Sequence, residues 1–384
     1  MRLLYLSADP GIPMLGHKGA SVHVRELVTA LQRAGAEVLV ASPRVCDEGD
    51  RFPLPVPLIP VDPVLPKTHT TPRSARSAIE AQRRQIERLC RKLRVDALYE
   101  RYSLFSDAGV HASRRLGVPH ILEVNAPLRA EARRHRTLPH ARLAAEIESA
   151  VFALTARCLC VSDGVARAVR RHRAAAPTEV VPNGVDPARF CGRKADRNAR
   201  DVVVGFAGSL KPWHGIETLV EACEIAFPLE PRLQLEVVGD GPLRSSVQSA
   251  ALPRNRLRVA GPIDHAQAIE AMHRWDVGAA PYRGERGFYF SSLKVLEYMA
   301  AGVCPVASDL GELRSLLRDG RGVLVPPDDP PALAEALLLL ARSPDLVSAA
   351  GNRARNWVLV HRTWARNAEI VLDRFRQVGR RAAA

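Results

Sequence analysis

The stretch GFYFSSLKVLEYMAAG, residues 287–302, combines reactive side chains with the pattern of a helix. Ser291 and Ser292 stand where helix caps belong, and an apolar stripe follows them. Lys294 and Glu297 lie one turn apart inside that stripe. An ammonium group neutralises an anion such as a phosphate, and a carboxylate accepts hydrogen bonds from paired hydroxyls. The alternative is a surface ion pair between the two residues, which stabilises a helix by roughly a few tenths of a kcal/mol.

The start of the chain shows which elements position such side chains. A buried strand (2–8), a glycine-rich loop (9–21), a helical pattern (22–35) and a second strand (36–43) follow one another. The same plan starts again at residue 201. Strands that alternate with helices form parallel sheets covered on both faces, so the two starts predict two doubly wound α/β domains.

The boundary between the domains falls in the polar segment 186–201, which is rich in charge. We place an N-terminal domain at 1–190 and a second domain at 191–360, which leaves a C-terminal helix at 361–384. In sheets of this type, ligands bind beyond the carboxyl ends of the strands. Two such domains that face each other are expected to form a cleft for a ligand.

Two glycine loops in the second domain follow predicted strands, GSLKPWHG (208–215) and VVGDGPLR (237–244). Gly208, Gly239 and Gly241 allow a ligand to approach the backbone closely. Helices follow the first loop and the opening stretch, and helix N-termini attract anions. Neither the dinucleotide fingerprint nor a P-loop is present. Together these loops indicate a phosphate-bearing ligand, although each glycine alone fits an ordinary turn.

Composition bounds the class of protein. The chain has 384 residues and 47% hydrophobic content, enough for two domains with their own cores. The seven cysteines show no metal-binding spacing, and an odd count without a signal peptide indicates a reducing compartment. Since no apolar run reaches the ~20 residues of a spanning helix, we expect a cytoplasmic protein.

Positive charge is concentrated in the first half of the chain. Residues 1–190 hold 29 Lys+Arg against 19 Asp+Glu, a surplus of 10 within a total net charge of +14. The surplus clusters in 72–94 and 129–142. Three interpretations stay open: a solvated arginine-rich helix face, a patch for an anionic membrane or acceptor, and a nucleic-acid surface. The third ranks last, because no nucleic-acid motif accompanies the charge.

Several stretches occur in an order typical of one enzyme family. They are VPNGVDPARF (181–190), FAGSLKPWHGIETLVEA (206–222), VVGDGPLR, KVLEYMAAGVCPVAS (294–308) and RGVLVPPDDPPALAEAL (321–337), with GHKGASVHVREL (16–27) in the first loop and helix. Over nearly its whole length the chain resembles glycosyltransferase family 4. The resemblance implies a GT-B fold, two facing Rossmann-like domains with an interdomain cleft, and retaining, metal-independent transfer from a nucleotide sugar. It also implies that the C-terminal helix packs back on the N-terminal domain.

Within this resemblance, Glu297 matches the second of two family glutamates, which hydrogen-bonds the ribose of the donor. Tyr289 stands at the position of the first glutamate, so the donor sugar must be held differently from that side. A family variant similar to FYFSPLK uses its serines, its lysine and the amides after the loop for the diphosphate and sugar. The resemblance therefore assigns four more residues to the donor: Ser291, Ser292, Leu293 and Lys294.

The loop GSLKPWHG departs from the family pattern G-R-L-x-x-x-K-G, which places an arginine and a lysine on the diphosphate. Ser209 and His214 occupy those positions. Since a leaving diphosphate develops negative charge, we expect Lys211 to supply the missing cation. Three interpretations of His214 stay open: it donates a hydrogen bond to the ligand, it carries a positive charge if its pKa is raised, or it has no role. Trp213 lines the pocket or packs as a plug.

In the N-terminal domain the resemblance places the first loop near the sugar phosphate. Gly16 and Gly19 let that loop approach the ligand. His23 sits early in the first helix, as in family members with G-x-x-x-H, and a buried structural histidine is the competing interpretation. AGPIDHAQ (260–267), in the second domain, is where we place the pocket for the nucleotide base.

The acceptor side is carried by strand ends of the first domain. Many relatives place a histidine near the loop after residue 120, and this chain offers Asn125 there. Its amide donates to a sugar hydroxyl but cannot shuttle protons. Glu100 and Arg101, in YERYS, are further candidates to face the acceptor.

The sequence thus predicts an enzyme that moves a hexose-type sugar from a nucleotide diphosphate sugar to an acceptor hydroxyl. Lys211, Lys294 and Asn125 are the predicted catalytic residues. We expect no cofactor, no metal and no nucleic acid, but an anionic or lipid-linked acceptor and peripheral membrane contact through the basic domain. Two alternatives stay open: a sugar-nucleotide epimerase of the same fold, and a non-catalytic nucleotide-sugar-binding protein.

Overall fold

The computed structural model describes residues 1–16, 18–46, 53–64, 70–135, 137–172, 174–192, 201–284 and 288–383. Half of the predicted boundary segment, residues 193–200, therefore lies outside the described residues. The chain forms two compact units. The first consists of Met1–Pro182, Tyr289–Ser291 and Trp364–Ala384, and the second of Asn183–Phe288 and Ser292–Thr363.

The first unit is built on a seven-stranded sheet. Its strands are β1 (Arg2–Ser7), β2 (Glu37–Ser42), β3 (Leu58–Pro60), β4 (Ala97–Arg101), β5 (His120–Val124), β6 (Arg157–Cys160) and β7 (Thr178–Val180). All pairs are parallel, in the order β3-β2-β1-β4-β5-β6-β7. Helices before the domain boundary are α1 (Gly19–Arg33), α2 (Pro72–Leu93), α3 (Ala108–Leu116), α4 (Leu128–His135), α5 (Ala141–Leu154) and α6 (Asp163–Arg170).

The second unit repeats this architecture with six strands. They are β8 (Val202–Ala207), β9 (Leu233–Val238), β10 (Leu257–Gly261), β11 (Val277–Ala280), β12 (Cys304–Ser308) and β13 (Val323–Val325). The sheet is parallel, in the order β10-β9-β8-β11-β12-β13. Its helices are α7 (Ile216–Ala226), α8 (Arg244–Gln248), α9 (His265–Met272), α10 (Leu293–Ala300), α11 (Leu313–Leu317), α12 (Pro330–Arg342) and α13 (Pro344–His361). The prediction of two doubly wound α/β domains is confirmed.

The last helix, α14 (Trp364–Ala383), belongs to the first unit. Its Trp364 ring meets His23 of α1 edge-on at 4.9 Å between ring centres. The units divide at Pro182 and Asn183 rather than at 190. The reason is long-range pairing, because the Val185 amide donates to the Arg362 carbonyl at 2.8 Å within the second unit. Across the described residues, no helix is both long and apolar enough to cross a membrane.

A buried tryptophan packs against the sheet of the second unit. Trp275 is fully buried, and its indole N–H donates to Glu236 at 2.8 Å. Its ring lies against the backbone of Gly205 on β8, where a Cβ would come within 1.8 Å of an indole carbon. Only glycine leaves room for the ring at this point of the strand.

Gly205→Ala is therefore expected to destabilise the protein, because the new methyl group displaces a buried indole. We expect the free energy of unfolding to fall by roughly 1–3 kcal/mol and the Tm by roughly 3–10 °C. Gly379→Ala in α14 is the matched control, since nothing lies within 4 Å of its added Cβ. Thermal unfolding by circular dichroism measures both variants, and equal Tm values would contradict the packing described for Trp275.

Candidate functional site

The strand order of the second sheet reverses at one point. β8 is followed outward by β9 and β10, whereas its other neighbour, β11, is followed by β12 and β13. Loops that leave neighbouring strands at such a reversal separate and open a crevice at the carboxyl edge. The loops after β8, β9 and β11 carry the residues assigned from the sequence to a donor, so the fold brings these segments to one edge.

The glycines of these loops are required by backbone packing. Gly239 has φ of +140°, and a Cβ there would lie 1.9 Å from the carbonyl oxygen of Gly208. Gly241 has φ of +155° and lies against the backbone of Leu210. The amides of Gly208 and Gly239 donate to Val238 and Gly261 at 2.9 Å each. These glycines therefore shape the edge, while their own amides are engaged within the protein.

Lys294 of α10 is the central group at this edge. The residue is 9% exposed, and its Nζ has no hydrogen-bond partner among the described residues. Nζ lies 3.9 Å from the ring centre of Phe206 and 5.4 Å from that of Tyr282. It also lies 3.0 Å from where a Cβ of Gly208 would be. The expected alternative, a surface ion pair with Glu297, is wrong, because the ammonium is buried.

The charge of Lys294 is poorly supported by its surroundings. Burial lowers the pKa of its ammonium to about 7, although the carboxylate of Glu297 opposes that shift. Near neutral pH the group is thus poised between the charged and neutral forms. An anion that enters the crevice would supply the missing partner and favour the charged form.

His214 is neutral rather than cationic. Burial, with Lys294 and Lys211 adding to it, lowers its pKa to about 3. Its Nδ1 donates to the Ser209 carbonyl at 2.6 Å, which leaves Nε2 as an acceptor. The suggestion that His214 carries a charge is therefore wrong, because two lysines and a low-dielectric environment disfavour protonation.

The loop after β8 also carries the exposed residues of the predicted diphosphate site. Ser209 and Lys211 are exposed. The Lys211 ammonium lies over the Trp213 ring at 4.9 Å from its centre. Trp213 is half-buried, so it supports the lysine rather than filling a core. The two lysines differ sharply in environment, one buried and one in solvent.

Glu297 pairs with a residue that the sequence did not single out. Its Oε1 is hydrogen-bonded to His265 Nε2 at 2.7 Å, and both side chains are mostly buried. His265 opens α9, inside the segment where we placed the base pocket. A carboxylate held by an imidazole at the sheet edge keeps further lone pairs for hydroxyl donors. The structure thus joins the predicted ribose residue to the predicted base segment.

Of the residues before α10, one caps the helix and the others form a loop. Ser292 is the N-cap, its hydroxyl accepting from the Val295 amide and bonding to the Tyr282 hydroxyl at 2.7 Å. Its engaged hydroxyl makes it a helix cap rather than a free ligand group. Leu293 is the first residue of the helix, where amides lack carbonyl partners within the helix. Ser291 and Tyr289 cluster with the first unit, and the Tyr289 carbonyl accepts from Ser162 at 2.6 Å.

A second polar cluster lies at the carboxyl edge of the first sheet. The carboxylate of Glu123 on β5 accepts from the Tyr5 hydroxyl at 2.6 Å, bonds to His23 Nε2, and accepts from Asn125 Nδ2 at 3.2 Å. Although burial raises the pKa of Glu123, His23, Arg101 and Tyr5 together lower it to about 2. His23 and Asn125, both predicted from the sequence, are brought together through this glutamate.

Glu100 and Arg101 point to opposite faces of the first sheet, as neighbours on a strand must. Glu100 is 1% exposed, bonds to His120 at 2.9 Å and faces α3 at Gly109. Its predicted acceptor-side role is therefore not supported by its position. Arg101 lies on the other face, beside Glu123.

An arginine that the sequence analysis did not single out is hydrogen-bonded to the first loop. Arg25 of α1 is buried and donates to the carbonyls of Met14 and Gly16. Gly19 opens α1. The sequence pattern did not single out Arg25, because an arginine in an amphipathic helix is expected on the exposed face and Arg25 is buried. Within the described ranges, no group of three or more His, Cys, Asp or Glu side chains is arranged to hold a metal ion.

Comparison with known proteins assigns the chain to a family. Residues 17–189 match the family model described as Glycosyltransferase Family 4, and residues 201–343 match the one described as Glycosyl transferases group 1. The two matches cover both units, so the chain belongs to this glycosyltransferase family, as its resemblance predicted.

Particular relatives extend this assignment. The phosphatidyl-myo-inositol mannosyltransferase of Mycolicibacterium smegmatis is 35% identical over 188 residues, 47% of this chain and 47% of that protein. The D-inositol 3-phosphate glycosyltransferase of Geodermatophilus obscurus is 31% identical over 282 residues, 67% of this chain and 62% of that protein. The chain thus spans about half the length of the first relative and just under two thirds of the second.

A solved structure shows the fold. Anabaena HepE in complex with UDP matches with a TM-score of 0.70 at 17% identity, over 98% of this chain and 100% of that one. At so low a sequence identity, the match gives information about the fold alone. The likeness confirms the GT-B class of two parallel-sheet, Rossmann-like domains.

The Glu123 cluster generates a prediction about stability and pH. Its pKa falls from 4.5 to about 2 on folding, so the carboxylate stabilises the fold above about pH 4.5 and loses that contribution as the pH falls towards 2. Glu123→Gln is expected to lower the free energy of unfolding at neutral pH by on the order of 3 kcal/mol.

Urea unfolding at several pH values measures this effect. The difference between wild type and Glu123→Gln should narrow below about pH 4.5. Glu146→Gln is the control, since that carboxylate is paired with Arg76 on the surface. A Glu123→Gln deficit that does not change with pH would contradict the ionised state of this carboxylate.

Proposed function

We propose that the protein transfers a hexose from a nucleoside diphosphate sugar to an acceptor hydroxyl. The observation that carries the proposal is the buried Lys294 ammonium at the strand reversal, which has no hydrogen-bond partner among the residues that the structure describes. A diphosphate leaving group develops negative charge, and this ammonium would stabilise that charge. HepE, which shares the fold, is described in complex with UDP, and the two relatives named above are glycosyltransferases.

In this proposal the donor diphosphate lies against Lys294, with Lys211 covering its solvent side. Glu297, oriented by His265, accepts hydrogen bonds from the ribose hydroxyls. Positive charge for the leaving group comes from the two lysines and the first turn of α10, so the reaction is proposed to need no metal ion. The neutral His214 offers an accepting Nε2 to a donor hydroxyl.

The bond between the anomeric carbon and the diphosphate oxygen breaks, and the electron pair leaves with the diphosphate. The acceptor oxygen bonds to the same face of the anomeric carbon, which retains its configuration. A donor phosphate oxygen takes the acceptor proton, since the neutral amide of Asn125 cannot act as a base. Catalysis then consists of positioning and stabilisation of the leaving group.

Thermal shift with UDP, GDP, ADP and dTDP tests the donor site. One diphosphate is expected to raise the Tm of the wild type, and Lys294→Met is expected to weaken its binding roughly 10- to 100-fold. Lys294→Met should also raise the Tm of the free protein, because it removes an unpartnered buried amine. Glu297→Ala should weaken nucleotide binding, and Lys211→Met should do so less than Lys294→Met.

The pH dependence of nucleotide binding and a control variant add to that experiment. Because the charged form of Lys294 binds the diphosphate, the affinity of the wild type should fall up to about tenfold for each pH unit above 7, and that of Lys294→Met should not. Arg318→Met, at an arginine whose side chain is 71% exposed, is the control. Wild-type affinity in Lys294→Met would refute the proposal. Transfer or hydrolysis of the matching nucleotide sugar then separates an enzyme from a binding protein.

The partner of the basic N-terminal unit is proposed to be an anionic membrane surface. α2 buries Ala75, Ile79, Gln82, Ile86 and Cys90 on one side and exposes arginines on the other. Several of these arginines pair with glutamates of α2, which leaves Arg88 and Lys92 among the exposed cations. A relative named as acting on a phosphatidyl lipid supports this partner.

Vesicle flotation tests membrane contact. The protein should bind vesicles with anionic phosphatidylglycerol more than pure phosphatidylcholine, and salt should weaken binding. Arg88→Glu with Lys92→Glu should abolish binding, while Arg314→Glu with Arg318→Glu, an equal charge change in the second unit, should leave it largely intact. Equal loss in both double variants would reduce the effect to net charge and refute a specific surface.

A further inference from the structure

A cavity of about 510 Å³ lies at the amino ends of the strands in the second unit. Asp201, which lines it, precedes β8, while Gln234 and Arg258 are the second residues of β9 and β10. Arg274 lines it from the turn before β11. The volume falls within the range of roughly 300–1,000 Å³ that is usual for small-molecule sites.

This cavity lies at the opposite end of the sheet from the candidate donor site. Since neighbouring strands here are parallel, their amino ends form one edge of the sheet and their carboxyl ends form the other. β8 begins at Val202 beside the cavity and ends at Ala207, directly before Gly208. A strand rises about 3.3 Å per residue, so roughly 15–20 Å separates the two sites along β8.

The cavity has a surplus of positive charge. Four arginines and two carboxylates line it, which leaves a net charge of +2. The carboxylate of Glu236 already accepts from Arg274 Nη2 at 3.2 Å and from the Trp275 indole at 2.8 Å, and it lies 3.5 Å from Arg258 Nη1. One carboxylate is thus shared between two guanidinium groups, which keep further N–H donors for a ligand.

Several polar side chains of the lining are available to a ligand. Arg254 and Asn255 are exposed, Gln234 is half-buried, and within the described ranges these side chains make no hydrogen bond or ion pair. The Arg258 side chain is 68% exposed. Arg256 differs, because its guanidinium donates to three backbone carbonyls and therefore supports the wall of the cavity.

These groups fit a phosphate that is attached to a small organic body. Guanidinium groups bind phosphate oxygens through paired N–H donors, and amide side chains add further donors and acceptors. A phosphate monoester carries a charge of about −1.5 to −2 at pH 7, which matches the net charge of the lining. The cavity is larger than a phosphate group, and the half-buried Val203 and Leu257 offer apolar contacts to carbon atoms.

We propose that this cavity binds a small organic phosphate monoester. Arg254 and Arg258 bind the phosphate, and Gln234 and Asn255 hydrogen-bond the organic part. The ligand is separate from the sugar donor, because the cavity and the Lys294 ammonium lie at opposite edges of the sheet. Binding here does not depend on the proposed transfer reaction.

Isothermal titration of the full-length protein with ribose 5-phosphate and with glycerol 3-phosphate tests the site. Inorganic phosphate and free ribose are the comparison ligands. We expect one molecule of ribose 5-phosphate to bind per chain, at least about fivefold tighter than inorganic phosphate, because its organic part also contacts the lining. Arg254→Gln and Arg258→Gln should each weaken binding roughly tenfold, since each removes charge-assisted hydrogen bonds from an exposed position.

The matched control is the double variant Arg314→Gln with Arg318→Gln. It removes the same charge from the second unit, at side chains that are 64% and 71% exposed, and it should bind ribose 5-phosphate like the wild type. Lys294→Met should also keep this binding. The double variant Arg254→Gln with Arg258→Gln should lose it and keep the Tm of the wild type within a few degrees.

Four outcomes would overturn the proposal. The first is that neither ester binds at millimolar concentration. The second is that inorganic phosphate binds as tightly as ribose 5-phosphate, which would exclude a site for an organic ester. Equal losses in the two double variants would reduce the effect to net charge. Binding that is lost in Lys294→Met and kept without Arg254 and Arg258 would place the ligand at the donor site.

Discussion

The carboxyl edge of the second sheet is constrained by one buried ammonium group, that of Lys294, which has no hydrogen-bond partner in the described part of the chain. Burying a cation costs several kcal/mol unless its surroundings compensate. For Lys294 the compensation is partial: the faces of Phe206 and Tyr282 attract the cation, and a pKa lowered to about 7 lets it shed its charge. Such a group lowers the stability of the free protein and keeps a cation preorganised for an anion.

The geometry around that ammonium explains the small residues at the same edge. A side chain at Gly208 would meet Nζ at 3.0 Å, and one at Gly239 would meet the Gly208 backbone at 1.9 Å. The loops after β8 and β9 therefore stack directly on each other, which is possible only without a Cβ. Loop packing therefore explains the glycine motifs that resemble those of the family.

The sheet edges of the two units differ in how their charged groups are paired. In the second, the buried Lys294 ammonium has no hydrogen-bond partner within the described ranges. In the first, the Glu123 carboxylate bonds to Tyr5 and His23 and lies beside Arg101, and these neighbours lower its pKa. The same fold thus presents two chemically different edges.

The sequence by itself determined the architecture and the segments of the site. Strand and helix periods, the restart after residue 200, the Ser292 cap and the order of motifs are local patterns, set by short-range backbone preferences. Only the tertiary structure decided which lysine is buried, that Glu297 pairs with His265, that His214 stays neutral, and that Arg101 rather than Glu100 reaches the polar edge. Burial and partner choice depend on packing between residues far apart in the chain, where a one-residue step along a strand reverses the face a side chain occupies.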